Sequence, residues 1–252
     1  MADEPGRWIR RYRAAPDAAV QLVCLPHAGG AASYYRPMAM ALFPSVEVLA
    51  VQYPGRQDRL DEPCFGDFAE LTERTLAAVR PALDRPVALF GHSMGSLLAF
   101  EMAKRLEAEG VGPLALFASG GRPPDRPVRH SSRTVTDEEL ISEVAALEGT
   151  DRRLLDSEDM RVLFLPALRA DYRTMATYRF DGTRLGCPLV SLTGDGDHLV
   201  TSDDAAGWAG HTSGGFDLHV FPGGHFYLTD RWDAVAEVVT RRLGAHVPTG
   251  TG

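Results

Sequence analysis

The segment that decides the fold of this sequence is Val87-Ala88-Leu89-Phe90-Gly91-His92-Ser93-Met94-Gly95. The apolar run 87–90 predicts a buried strand, and leucine and methionine recur near helical spacing over 97–106. Gly91 and Gly95 flank Ser93 in a G-x-S-x-G pattern, in which glycines avoid side-chain clashes in a sharp strand-to-helix turn. We therefore expect Ser93 to be a nucleophile at the carboxyl edge of a sheet; a plain structural turn is the alternative interpretation.

Composition and charge limit the classes of protein to which this chain can belong. The chain has 252 residues, of which 44% are hydrophobic, so it can bury one large core, and we expect a single domain over 1–252. Its net charge of −8, without a long basic run, argues against nucleic acid or an anionic membrane as a partner. No apolar signal segment and no run of roughly 18 apolar residues is present, which predicts a cytoplasmic protein. The three cysteines form no C-x-x-C pair, so a zinc site or disulfide framework has little support.

Apolar runs of strand length alternate with helical patterns along the chain. The runs are 20–25, 46–51, 87–90, 114–118, 189–193 and 218–221. This alternation predicts an α/β fold built on a mostly parallel sheet flanked by helices. One helix face is predicted over 68–83 and a closing helix over 232–243, and the tail 248–252 is expected to be disordered.

The gap between residues 120 and 187 is longer than a simple crossover requires. It is neither low in complexity nor uniformly polar, so we expect a helical lid insertion at about 122–186. Thr136-Asp137-Glu138-Glu139 has the spacing of a capping box and predicts a helix start before Leu140, Ile141, Val144 and Leu147; a second apolar run spans 160–175. Most of these apolar residues should pack on the sheet, while a few should line a substrate pocket.

A serine hydroxyl needs a base to take its proton and a carboxylate to orient that base. The chain order expected for this kind of turn is serine, acid, histidine. His225 is the favoured base because Pro222-Gly223-Gly224-His225-Phe226 directly follows the last predicted strand, with an ordinary surface histidine as the alternative. In Gly194-Asp195-Gly196-Asp197 the favoured acid is Asp197, and Asp195 is expected to bond its own turn. The other histidines after the turn are His198, His211, His219 and His246.

A tetrahedral oxyanion needs two backbone N–H donors. One comes from the residue after the nucleophile, Met94, and the other from a loop that follows an earlier strand. Pro26-His27-Ala28-Gly29-Gly30 follows the predicted strand 20–25, and its small residues would let the backbone approach a substrate. We therefore predict Met94 and Ala28 as oxyanion-hole donors; a simple glycine turn is the alternative for this loop.

Several blocks beyond the turn resemble a known family. They are Trp8-Ile9-Arg10-Arg11-Tyr12, Leu25-Pro26-His27-Ala28-Gly29-Gly30-Ala31-Ala32-Ser33, Gln52-Tyr53-Pro54-Gly55-Arg56 and Leu168-Arg169-Ala170-Asp171-Tyr172. Together they resemble the type II thioesterases of polyketide and nonribosomal peptide assembly lines, over roughly 8–243. The family has the α/β-hydrolase fold and a G-x-x-D-P-L-V block; its match at 194–200 places the acid on Asp197, with His198 instead of proline. Some related release thioesterases carry the acid one strand earlier, where this chain has Ser119-Gly120-Gly121.

The resemblance implies a serine thioesterase that hydrolyses aberrant or stalled acyl groups from the phosphopantetheine arms of acyl or peptidyl carrier proteins, without metal or organic cofactor. A carboxylester hydrolase or peptidase acting on free small molecules is a second interpretation, and a non-catalytic binding protein on a hydrolase scaffold is a third. Carrier proteins are typically acidic, so a local basic face would have to attract them. Candidates for that face are Arg122, Arg126, Arg129 and Arg133, although such arginines more often form an ordinary solvated surface.

Overall fold

A computed structural model of the protein describes residues 5–126, 136–146 and 158–246. Within these residues seven strands form one sheet, in the order β1-β3-β2-β4-β5-β6-β7. The strands are β1 Ile9–Arg10, β2 Val20–Leu25, β3 Val46–Val51, β4 Val87–His92, β5 Leu116–Ser119, β6 Leu189–Gly194 and β7 Phe216–Phe221. The short β1 runs antiparallel to β3, and all other neighbouring pairs are parallel. The α/β fold with a mostly parallel sheet is therefore confirmed.

Helices cover both faces of the sheet. In the described residues the α-helices are α1 Pro5–Trp8, α2 Arg36–Leu42, α3 Phe68–Val79, α4 Met94–Ala108, α5 Asp137–Ala146, α6 Glu158–Ala176, α7 Ser202–Ala206 and α8 Trp232–Leu243. Short 3₁₀ helices occur at Ala32–Tyr35, Gln57–Arg59, Arg80–Ala82, Gly207–His211, Tyr227–Asp230 and Gly244–His246. The helix predicted over 68–83 changes to 3₁₀ geometry after Val79 because Pro81 lacks the N–H of a continuing α-helix. Across 5–126, 136–146 and 158–246, no helix has the length and apolarity needed to cross a bilayer.

Alternate residues of the central strands face opposite layers of helices. In β4, Val87 and Leu89 belong to the core cluster formed with α3 and α4, whereas Ala88 and Phe90 belong to the cluster formed with α2 and α8. Both faces of the strand are buried, which explains its unbroken apolar sequence. Because neighbouring strands are parallel, the loops that follow β2, β4, β5, β6 and β7 all leave the sheet at one edge.

Two helices of the predicted insertion, α5 and α6, lie within the described residues. The capping box at the start of α5 is present: the Glu139 N–H donates to the Thr136 hydroxyl at 3.3 Å, and the Thr136 N–H donates to the Glu139 carboxylate at 2.9 Å. Leu147, Arg129, Arg133 and the tail 248–252 lie outside the described residues. A single domain over 1–252 with its insertion at about 122–186 stays a prediction.

Two imidazoles are packed beneath the carboxyl edge of the sheet. The ring centroid of His27 lies 4.8 Å from that of Phe226 and 5.8 Å from that of His92. His27 Nδ1 and His92 Nε2 are buried, and neither has a hydrogen-bond partner among the described residues. Burial lowers the pKa of His27 to about 3, with smaller contributions from His225 and Arg56, and burial also holds the pKa of His92 well below its usual value. Both rings are therefore neutral at pH 7.

We expect removal of the His27 imidazole to reduce the loss of stability in acid. The unfolded chain binds a proton at this histidine near pH 6.5, whereas the folded protein does so only near pH 3. The stability associated with neutral His27 is therefore complete above pH 6.5 and declines as the pH falls towards 3. From about pH 7.5 to about pH 5 this decline amounts to about 2 kcal/mol, so His27→Gln should lose about 2 kcal/mol less than the parent protein in urea unfolding.

The matched control is His246→Gln, because His246 is exposed and lies outside the buried ring cluster. This control should lose as much stability between the two pH values as the parent protein. Equal losses in His27→Gln and the parent protein would show that the His27 imidazole is not buried in neutral form.

Candidate active site

Ser93 occupies a tight turn between β4 and α4. Its backbone has φ +54° and ψ −116°, a strained conformation for a residue with a side chain. A β-carbon at Gly91 would lie 1.9 Å from the Gly95 carbonyl oxygen, and one at Gly95 would lie 2.0 Å from the Leu25 carbonyl oxygen. Both distances are far below van der Waals contact, so only glycine fits these positions. The strand-to-helix turn predicted from the G-x-S-x-G pattern is present, and it presents Ser93 at the carboxyl end of β4.

The His225 imidazole and the Asp197 carboxylate form a buried pair. His225 Nδ1 lies 2.8 Å from Asp197 Oδ2, and the two residues are 3% and 5% exposed. The other carboxylate oxygen, Oδ1, accepts hydrogen bonds from the Leu199 N–H at 2.8 Å and the Val200 N–H at 3.1 Å. The carboxylate is thus held from two sides. This arrangement fixes the orientation of the ring and makes Nε2 the nitrogen that can act as a base.

Asp195 does not compete for this imidazole. Its carboxylate accepts a hydrogen bond from the Gly223 N–H at 3.0 Å, so the expectation that Asp195 bonds its own turn is wrong. The reason is a close approach between the loops that follow β6 and β7: a β-carbon at Gly194 would lie 2.2 Å from the Gly223 carbonyl oxygen. The same approach brings Asp197 and His225 together across 28 residues of sequence.

Ser93 and His225 line one cavity of about 100 Å³. The other lining residues are Met94, Leu97, Gly120, Gly121, Arg122, Pro123, Arg126, Tyr172, Met175, Leu199 and Val200. Most of these side chains are apolar, which suits a hydrocarbon group. Two of them, Tyr172 and Met175, come from α6, as expected for a few residues of the insertion.

No hydrogen bond joins the Ser93 hydroxyl to the His225 imidazole in the part of the chain that the structure describes. Catalytic hydrogen bonds are often long or misaligned until substrate binds. The cavity that the two side chains share supports their predicted partnership, and their catalytic roles stay a prediction.

The residues predicted to donate to an oxyanion lie on neighbouring segments. Met94 begins α4 and lines the cavity. Ala28 lies on the loop after β2, and this loop contacts the Ser93 turn where Gly95 packs on the Leu25 carbonyl group. Ala28 itself is not among the residues that line the cavity. Neither the Ala28 N–H nor the Met94 N–H donates a hydrogen bond to another described residue. Their role as oxyanion donors stays a prediction.

A chain of polar contacts beneath the cavity could not be predicted from the sequence. Ser119 Oγ lies 3.0 Å from His92 Nδ1 and 2.7 Å from the Tyr227 hydroxyl oxygen. The Ser119 carbonyl oxygen also accepts a hydrogen bond from the Ser93 N–H at 2.8 Å. The end of β5 is thereby tied to the Ser93 turn and to the loop that carries His225. A single serine at a strand end is the only sequence signal, and it is too common to identify this contact.

Gly120 makes room for the rings at this site. Its φ is +54°, and a β-carbon there would lie 2.7 Å from His92 Cε1 and 3.5 Å from His225 Cε1. A larger residue would be strained and would displace the imidazoles. The Ser119-Gly120-Gly121 segment therefore lacks an acid, as its sequence shows, but it positions the histidines.

The arginines considered for partner binding differ in their surroundings. Arg122 donates to Asp204 Oδ1 at 3.3 Å, whereas Arg126 is exposed, and both line the cavity. Arg129 and Arg133 belong to the segment that the structure does not describe. Within the described ranges, no group of His, Cys, Asp and Glu side chains is arranged to hold a metal ion.

Comparison with known proteins extends the resemblance seen in the sequence. A family model for the thioesterase domain matches residues 20–243. Thioesterase PikA5 of Streptomyces venezuelae is 44% identical over 251 residues, which cover 96% of this chain and 89% of that protein. The probable cadicidin biosynthesis thioesterase of Streptomyces griseus is 45% identical over 242 residues, which cover 96% of this chain and 67% of that protein.

A solved structure gives the same result for the fold. The type II thioesterase BorB from the borrelidin biosynthetic cluster superposes with a TM-score of 0.86 at 45% identity, covering 96% of this chain and 99% of that one. Sheet, flanking helices and sequence therefore agree over nearly the full length of the chain. The chain belongs to the thioesterase family of the α/β-hydrolase fold, among the type II thioesterases of polyketide and nonribosomal peptide biosynthesis.

Proposed function

We propose that this protein is an editing enzyme that hydrolyses aberrant or stalled acyl groups from the phosphopantetheine arms of acyl or peptidyl carrier proteins. The observation that carries the proposal is the buried His225–Asp197 pair, whose imidazole lines the same cavity as Ser93 in a chain of the thioesterase family. Relatives named for cadicidin and borrelidin biosynthesis support the choice of substrate. An enzyme that serves such carriers would act in the cytoplasm.

In the first half of the reaction, Ser93 Oγ attacks the thioester carbonyl carbon while His225 Nε2 takes the hydroxyl proton. Asp197 accepts the Nδ1 hydrogen bond and stabilises the imidazolium. Negative charge develops on the carbonyl oxygen, where the Met94 and Ala28 N–H groups would donate. The intermediate then collapses, the C–S bond breaks, and the phosphopantetheine sulfur leaves with the proton held by His225.

In the second half, a water molecule attacks the acyl-serine and transfers its proton to His225. The same donors stabilise the second oxyanion, and collapse returns the proton to Ser93 Oγ as the carboxylic acid leaves. A thiol, with a pKa near about 8.5 for the closest side-chain analogue, is an easier leaving group than an amine. Modest acid assistance from the imidazolium therefore suffices for a thioester.

The carrier would have to approach the open side of the cavity. Arg126 is exposed and also lines the cavity, so it is the described arginine best placed to meet an acidic carrier near the entrance. Its charge would act mainly on the rate of encounter.

Substitution of the nucleophile tests the mechanism. Ser93→Ala removes the attacking oxygen, so turnover of acyl-carrier thioesters should fall by several orders of magnitude, and no acyl-enzyme should appear in a mass spectrum. Ser202→Ala is the matched control because Ser202 is exposed at the start of α7, and it should keep full activity. Unchanged turnover of Ser93→Ala would exclude Ser93 as the nucleophile.

Substrate comparison tests the editing role. We expect kcat/KM to be highest for an acyl group on a carrier protein, because contacts with the carrier contribute only in that case. We expect a lower kcat/KM for the same acyl group on free pantetheine, and the lowest for its oxygen ester. All three rates can be measured with one acyl group. Preference for the oxygen ester would instead indicate a carboxylester hydrolase, and failure of a fluorophosphonate to label Ser93 would indicate a non-catalytic protein.

A further inference from the structure

A charged pair that the mechanism does not use lies buried beside the 26–30 loop. Arg56 and Asp171 are 5% and 4% exposed. Arg56 Nη1 donates to Asp171 Oδ2 at 2.7 Å, and Arg56 Nη2 donates to Oδ1 at 3.0 Å. Arg56 follows β3, whereas Asp171 lies on α6, so the pair joins the main sheet to the insertion across 115 residues of sequence.

The same two side chains hold the backbone of the loop. Asp171 Oδ2 accepts a hydrogen bond from the Gly29 N–H at 2.7 Å, and Arg56 Nη1 donates to the Gly30 carbonyl oxygen at 3.1 Å. The Gly29 N–H belongs to the peptide group that directly follows Ala28. Anchoring that group fixes the direction of the chain next to the predicted oxyanion donor.

Apolar contacts from the insertion act on the same loop. Ala28 packs against a buried cluster of Leu140, Leu165 and Leu168, contributed by α5 and α6. Gly29 has φ +72°, and a β-carbon there would lie 3.1 Å from Leu168 Cδ1. The loop is therefore clamped between the sheet and α6.

Stability alone does not account for a buried ion pair. Removing two charges from water is costly, and an apolar pair of similar size is often equally stable. A carboxylate that accepts from both a guanidinium and a backbone N–H has directional bonds that an apolar side chain cannot replace. The geometry of Asp171 thus indicates a role in orienting the loop.

We propose that Asp171 and Arg56 are positioning residues that hold the Ala28 N–H in the oxyanion hole. Because Asp171 lies on α6, the geometry of the hole then depends on the position of α6 relative to the sheet. The inference rests on the proposed function, because it uses the donor role of Ala28. Tyr172 and Met175 of α6 line the cavity, so the helix that anchors the loop also meets the bound acyl group. An acyl group that displaces α6 loses oxyanion stabilisation, and selectivity among acyl groups then appears in kcat rather than in KM.

The variant Asp171→Asn tests the role of the carboxylate, because it keeps the size of the side chain and removes its charge. We expect kcat to fall on the order of 10²-fold, the loss typical of an oxyanion donor, with KM changed by less than about threefold. Arg56→Lys keeps the charge but cannot form the bidentate hydrogen bond to Asp171. Its kcat should therefore also fall, but by less than that of Asp171→Asn.

The matched control is Glu101→Gln. Glu101 is also buried, at 7% exposure, and it pairs with Lys104 and Arg105 on α4, away from the 26–30 loop. This variant loses a buried charge of the same sign but should keep its kcat. A kcat loss in Glu101→Gln as large as that in Asp171→Asn would show that any buried charge removal has this effect, and would overturn the proposal.

Two inhibitors separate positioning from a general loss of structure. A trifluoromethyl ketone analogue of acyl pantetheine forms a tetrahedral adduct with serine whose oxyanion occupies the hole, whereas the corresponding thioether binds without forming one. Asp171→Asn should weaken ketone binding by the same factor as kcat/KM and leave thioether binding within about threefold. Equal weakening of both ligands, or unchanged kcat, overturns the proposal. If Asp171→Asn does not fold, the same comparison on Arg56→Lys decides.

A small ester distinguishes failure of this inference from failure of the proposed function. p-Nitrophenyl acetate acylates the serine through the same oxyanion hole, whatever the natural substrate is. A parent protein that cleaves this ester but no carrier thioester refutes the editing function, while the ion-pair variants still decide the inference on the ester. A parent protein inert to both refutes the editing function and this inference together.

Discussion

A β-carbon at position 95 would lie only 2.0 Å from the Leu25 carbonyl oxygen. Similarly, a β-carbon at position 194 would lie only 2.2 Å from the Gly223 carbonyl oxygen. At these two points backbone packs directly on backbone. The loop after β2 is thereby drawn to the Ser93 turn, and the loops after β6 and β7 are drawn to each other. Every proposed reactive group stands on one of these segments, so the site depends on the absence of side chains at a few positions of the sheet edge.

The distribution of charge within the site follows from its burial. His27 and His92 are neutral because they are desolvated, and the carboxylate of Asp197 accepts hydrogen bonds from one imidazole and two backbone N–H groups. Arg56 and Asp171 neutralise each other. The positive charge that the proposed attack would form on His225 therefore has the Asp197 carboxylate as its directly bonded countercharge, and the neighbouring rings add none of their own.

Features with a local pattern could be predicted from the sequence, and features that depend on contacts between distant segments could not. The 87–90 run and its glycines predict the turn at Ser93, since periodicity and steric need are both local. The strand predicted at 114–118 is Leu116–Ser119 in the structure, although the Leu114 N–H already donates to the Val87 carbonyl oxygen. Hydrophobicity alone cannot locate that boundary.

The long-range contacts show the limit more clearly. Arg56 and Asp171 each stand in a block that resembles the family, but nothing in either block indicates that they bond to each other. The contacts of Ser119 with His92 and Tyr227 are equally invisible, because they depend on the register of β5 against its neighbour and on the path of the loop after β7. The sequence favours Asp197 over Asp195 through the turn contact expected of Asp195 and through a family position, but neither predicts the packing of two loops that brings Asp197 to His225.

The placement of the strands along the chain has a consequence for synthesis of the protein. Ser93 follows β4, whereas the predicted acid, Asp197, and the predicted base, His225, follow β6 and β7 further along the chain. During translation the alcohol leaves the ribosome well before the imidazole that would activate it, and parallel pairing of the last two strands must wait for both to emerge. If the proposed roles hold, Ser93 in a nascent chain that lacks β6 and β7 has no base to activate it, and it stays unreactive towards acyl groups until both strands have been made.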